Sequence, residues 1–169
     1  MRNMPRTRGL LLAAGLLMAL PGTMAGQATG PEAPLVGRPG PDSPWLLAPA
    51  FFPRGALINF VEGDPHKAMP VRVDLALPGG YRMPAHLHQQ AIHVKVLRGE
   101  LAVGLGDRMD LKRARALTAG DTVTVAAGQL HYFASRGPET IVSITCVGPI
   151  RFTYAQPDQD PSRSRPFGP

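Results

Sequence analysis

The sequence predicts an all-β fold of short strands and tight turns, and three observations carry the prediction. Nineteen glycines and nineteen prolines in 169 residues interrupt nearly every segment, which leaves no room for long helices. From Val71 to Leu77 apolar and polar residues alternate with period two, the spacing of a strand with one face buried. Hydrophobic residues make up 44% of the chain and charged residues 18%, enough apolar surface for one packed core, so wholesale disorder is excluded. The length suits one ordinary domain.

The segment before that domain reads as an export signal. Arg2, Arg6 and Arg8 precede an apolar run ending at Leu20, too short to span a bilayer comfortably, and Pro21-Gly22 follows. Thr23 and Ala25 supply the small residues of a cleavage site, so residues 1–25 are expected to be a Sec-type signal peptide and the mature protein to be periplasmic or secreted. Removing the three arginines lowers the formal charge from +6 to +3 and leaves no long basic run, so no nucleic-acid partner is expected. No second apolar stretch reaches spanning length, so no membrane partner is expected either. The single cysteine, Cys146, has no internal disulfide partner.

Residues 26–53 are rich in Pro, Gly and small side chains and read as a leader whose last part lies against the domain. After Val71–Leu77, Pro78-Gly79-Gly80 signals a turn. Ile92–Leu97 is apolar apart from His93 and Lys95, and Arg98-Gly99 reads as a tight turn into Glu100–Leu105, together a β-hairpin. Residues 112–116 read as a helical turn or a charged loop. Further strands are expected at Asp121–Val125, His131–Ala134, Ile141–Val147 and Ile150–Tyr154, and residues 158–169 as a tail. Seven or eight strands at this spacing suit a sandwich or a barrel.

The histidines carry the chemistry. His86, His88 and His93 fall within eight residues, His131 follows a Gly-rich turn, and His66 stands alone in a loop. Two histidines one residue apart on a strand share a face about 7 Å apart at Cα, close enough to chelate one ion with a third ligand. Neutral imidazole suits first-row transition metals. The competing reading of His86, His88 and His131 is a set of polar residues lining a metal-free pocket. Cys146, Met83, Tyr132, Phe133 and Tyr154 read as core or pocket wall, and Lys112, Arg113 and Arg115 as a solvated group.

The frame around these histidines resembles the cupin family. Gly80, His86, His88 and Gly99 stand at the spacings of the first cupin motif, with Ile92 where its glutamate belongs. Gly120, Gly128 and His131 stand at those of the second, with Ala126 for its proline and Ser135 for its asparagine, so seven of ten defining positions match. The resemblance covers residues 54–157 and is closest to the small secreted single-domain members. It implies a cupin-type double-stranded β-helix, a jelly-roll barrel, with the two motifs on facing hairpins and His86, His88 and His131 converging on a divalent transition metal. It also implies a homodimer.

Ile92 removes one donor and one negative charge from the family's site. Three-histidine cupin sites occur among iron dioxygenases, so a metal is still expected. An exported chain that acquires its ion outside the cytoplasm meets the usual affinity order, which makes zinc or copper as eligible as iron. As fourth ligands, His93 is expected to point away from Ile92 in a regular strand, while Gln89 and Gln90 offer amide oxygens from the adjoining loop. The implied function is that of a cupin acting on or binding a small oxygen-rich molecule, with dioxygenase- or isomerase-like chemistry. The alternative is a non-catalytic ligand-binding or sensing module without metal.

Overall fold

The computed structural model describes residues 44–163. The expected signal peptide, the first part of the leader and the end of the tail lie outside the described residues. Nine strands follow in order: β1 (Leu46–Leu47), β2 (Leu57–Glu62), β3 (Pro70–Pro78), β4 (Arg82–His88), β5 (Ile92–Leu105), β6 (Arg115–Thr118), β7 (Thr122–Val125), β8 (His131–Val147) and β9 (Phe152–Tyr154). One short 3-10 turn, Pro157–Gln159, completes them. Every strand pairing is antiparallel, and the all-β jelly-roll expected from the sequence is the fold observed.

Two long bent strands form its spine. β5 and β8 run antiparallel from His93 opposite Thr145 to Leu105 opposite His131. The other edge of β8 is shared: β3 pairs with its second half, Val71 opposite Cys146, and β4 pairs with its first half, His86 opposite His131. β6 and β7 close the outer edge of β5. The alternation read from Val71 to Leu77 is present, with Val71, Val73, Leu75 and Leu77 buried in the core. Each such burial is worth about 1.5–3 kcal/mol.

The expected hairpin at Arg98-Gly99 is not formed. β5 runs straight through, with pairing shifts on either side of Arg98, and β8 likewise joins the two strands expected at 131–134 and 141–147. Gly99 has φ +76°, and a Cβ there would meet the Glu139 carbonyl at 2.3 Å. The glycine therefore admits a bend and a close backbone approach rather than a reversal. Buried Thr140 ties that bend by donating its hydroxyl to the Glu100 carbonyl, 2.8 Å.

Residues 112–116 are also corrected. A turn ends at Arg113, whose N–H donates to Asp110, and β6 then begins at Arg115. The fully buried Leu117 explains why this charged segment becomes a strand. Within the stretch read as a leader, β1 pairs with β2.

Candidate metal centre

β4 delivers two of the three candidate ligands. Pro84 has no N–H, and the β4–β8 register shifts between Met83 and His86. After that irregularity His86 and His88 turn to the inner face, His86 only 2% exposed and His88 half-buried. His131 is the first residue of β8, fully buried at 0% exposure and directly opposite His86. The two motifs therefore sit on neighbouring paired strands, not on facing hairpins. Gly128, at φ +72°, makes the turn before His131, and its N–H donates to the His88 carbonyl, 2.8 Å. That bond holds the second motif's turn against the first motif's strand.

The three rings meet. Centroids lie 4.3 Å apart for His86 and His131, 5.1 Å for His86 and His88, and 5.4 Å for His88 and His131. One potential ligand nitrogen from each lies within 4.8 Å of the other two.

Two of the tautomers follow from the backbone. His86 Nδ1 is 2.8 Å from the Pro84 carbonyl, and His131 Nδ1 is 2.9 Å from the Gln129 carbonyl. A carbonyl only accepts, so each Nδ1 carries the proton and donates, leaving the Nε2 lone pair free. Backbone carbonyls that orient histidines in this way are the usual outer support of imidazole metal ligands. The Nε2 of His131 is buried without any hydrogen-bond partner. An orphaned buried acceptor is costly unless something electron-poor meets it.

The electrostatics favour the ligand state. Burial, then the nearby His131, lowers the His88 pKa to about 4. Burial and the same neighbour hold His86 well below the ordinary imidazole value, and burial lowers His131. All three rings are therefore neutral near pH 7, so a cation need displace no proton from them. Three neutral nitrogens suit zinc, copper or iron better than magnesium or calcium, which prefer oxygen donors. The residues present fit a divalent transition metal.

Ile92 lies inside, 2% exposed, and lines the same cavity as His86 and His88 without offering a donor. His93 points outward as expected, exposed and 2.8 Å from the Thr124 hydroxyl at Nδ1. Gln89 is exposed and Gln90 half-buried in the bend between β4 and β5. Gly80 and Gly120 occupy their expected turns with φ +72° and +96°. Ser135 is buried and structural: its Oγ accepts from the Tyr81 N–H and donates to the Pro78 carbonyl.

A cavity of about 280 Å³ opens beside the histidines. The sequence reading missed part of its wall. Phe152 packs its ring 5.2 Å from His86 and 5.6 Å from His88, and also meets Phe51 and Phe52. The 49–53 segment is held by two tyrosine hydroxyls, Tyr154 donating to the Phe51 carbonyl and Tyr81 to the Pro53 carbonyl. Burial raises the pKa of both tyrosines, so they remain donors. His66, read as a solvated loop residue, is exposed yet lines the cavity. Only contacts from distant strands could have revealed either feature.

A family model described as Cupin domain matches residues 74–148. The chain carries a cupin domain. Its cupin similarity extends to solved structures: an RmlC-like cupin from Shewanella frigidimarina NCIMB 400 (20% identity, 55% of this chain and 76% of that one, TM-score 0.47). A protein with a double-stranded β-helix domain from Klebsiella pneumoniae is similar too (21% identity, 63% and 91%, TM-score 0.49). So is a DMSP lyase from Ruegeria pomeroyi DSS-3 (18% identity, 52% and 44%, TM-score 0.45). None of these assigns an activity to this chain. Comparison with curated proteins finds no match.

Proposed function

We propose that this cupin is exported and that His86, His88 and His131 hold one divalent transition metal through Nε2, with a small molecule bound beside it. The orphaned Nε2 of His131 in a ring triad carries the reading. Zinc, copper or iron would supply Lewis acidity toward an enol, carbonyl or carboxylate oxygen, and copper or iron also redox chemistry. The chain's own contribution is positional. Pro84 and Gln129 carbonyls fix two of the rings, the Gly128 turn sets His131 against His88, and an aromatic wall lines the adjoining cavity.

Isomerase- or dioxygenase-like turnover is one use of such a site, and non-catalytic binding is the other. Among the described residues lining the cavity there is no carboxylate, lysine or arginine, so outside the triad His66 is the side chain best suited to proton transfer. It separates the two uses: His66→Ala should abolish acid–base turnover and leave simple binding intact. The metal reading is tested by elemental analysis of protein purified from its exported compartment. About one ion per chain, lost in His131→Ala, is expected. A content far below that, unchanged by the substitution, ends it.

A further inference from the structure

The cavity beside the histidines has an uneven lining. Its polar groups are the imidazoles of His86, His88 and His66, the Tyr81 hydroxyl and the Cys146 thiol. The Tyr81 hydroxyl is already donating to the Pro53 carbonyl. The body of the wall is hydrocarbon, including Phe51, Phe52, Ile58, Leu75, Ile92 and Phe152, and no charged side chain among the described residues reaches it. An apolar cavity of about 150 Å³ holds one benzene ring. The volume here, about 280 Å³, suits one substituted ring or two fused rings.

A ligand with several charged or strongly polar groups fits this wall poorly. One group reaches the histidine cluster, and each of the others is stripped of water against hydrocarbon with no partner, a loss of roughly tenfold or more in affinity per group. A ring system has the opposite balance, because its apolar area is buried and its faces and edges meet aromatic neighbours.

We propose that the ligand of this site is a single-headed aromatic or alicyclic molecule of one or two rings, with one oxygen head group at the histidine cluster and its body against the Phe51, Phe52 and Phe152 wall. For the head group this rests on the metal reading given above. For the body it rests on the wall alone. Small polyanions and sugars are excluded as primary ligands.

The test uses the purified full chain with two probes, 2-naphthol and oxalate, in calorimetric titrations before and after chelation of metal. Cys146, the one cysteine of the chain, lines the cavity and reports where the probe sits through its rate of alkylation by N-ethylmaleimide. The expected result is that 2-naphthol binds about a hundredfold or more tighter than oxalate and slows alkylation of Cys146. After chelation its binding weakens but persists. Oxalate matching 2-naphthol, 2-naphthol failing to bind, or its binding without protecting Cys146 would each overturn the proposal. If 2-naphthol binds over Cys146 with an affinity that neither chelation nor added zinc, copper or iron changes, the metal reading is refuted and this one stands, whereas a metal-loaded protein preferring oxalate does the reverse.

Discussion

The inner and outer faces of the β5–β8 ribbon carry the same side chain to opposite fates. His131, on β8, is fully buried, its Nδ1 committed to a backbone carbonyl and its Nε2 left without a partner. His93, on β5, is exposed and bonded to Thr124. Spacing alone does not separate the two, since His93 lies close to the His86–His88 pair in sequence and His131 lies far from it. What separates them is which face the strand presents and whether a second strand brings another imidazole opposite. A candidate ligand histidine is marked by a neutral, oriented ring with an idle lone pair facing its fellows.

Substitutions at the two faces should therefore differ most in their effect on metal. His131→Ala removes a nitrogen that no neighbour replaces, and the apparent metal dissociation constant should rise at least about a hundredfold, measured by competition with a chromophoric chelator.

Acid should strike the same face. In metal-free protein the folded pKa of His88 is lowered from 6.5 to about 4, so protons bind the unfolded chain first as the pH falls. The stability tied to its neutral ring is full above about pH 6.5 and is lost progressively down to about pH 4, roughly 3 kcal/mol for this residue alone. Urea melts at pH 7.5 and pH 4.5 measure it, and His88→Gln should flatten the difference.

Ile92→Glu sharpens the contrast within the inner face. It restores a carboxylate beside two imidazoles and should tighten metal binding by about tenfold, while metal-free protein loses on the order of 2 kcal/mol from the buried carboxyl. Thermal melts with and without metal separate the two effects. The smallest effect is expected outside: His93→Ala should leave metal content unchanged and shift stability by no more than about 0.5 kcal/mol.

The sequence was most legible where one strand decides its own pattern. Val71, Val73, Leu75 and Leu77 announce their buried face without help from any other segment. The gathering of His86, His88 and His131 was readable through the family's motif spacing, and the outward turn of His93 through strand alternation. Legibility failed where two distant segments decide. Gly99 reads as a reversal locally, but β8 approaches so closely there that the glycine serves a bend inside one long strand. β2 was missed because only Ile58 of its six residues is fully buried and its alternation is weak. The aromatic wall of Phe51, Phe52 and Phe152 joins the two ends of the domain, a pairing that no local window contains.

X-ray absorption at the metal edge of protein loaded with one ion tests the central claim most directly. Three imidazole nitrogens at about 2.0–2.1 Å for zinc, falling to two in His131→Ala, are the predicted result. A first shell of oxygen donors with one imidazole or none, unchanged by that substitution, would contradict it.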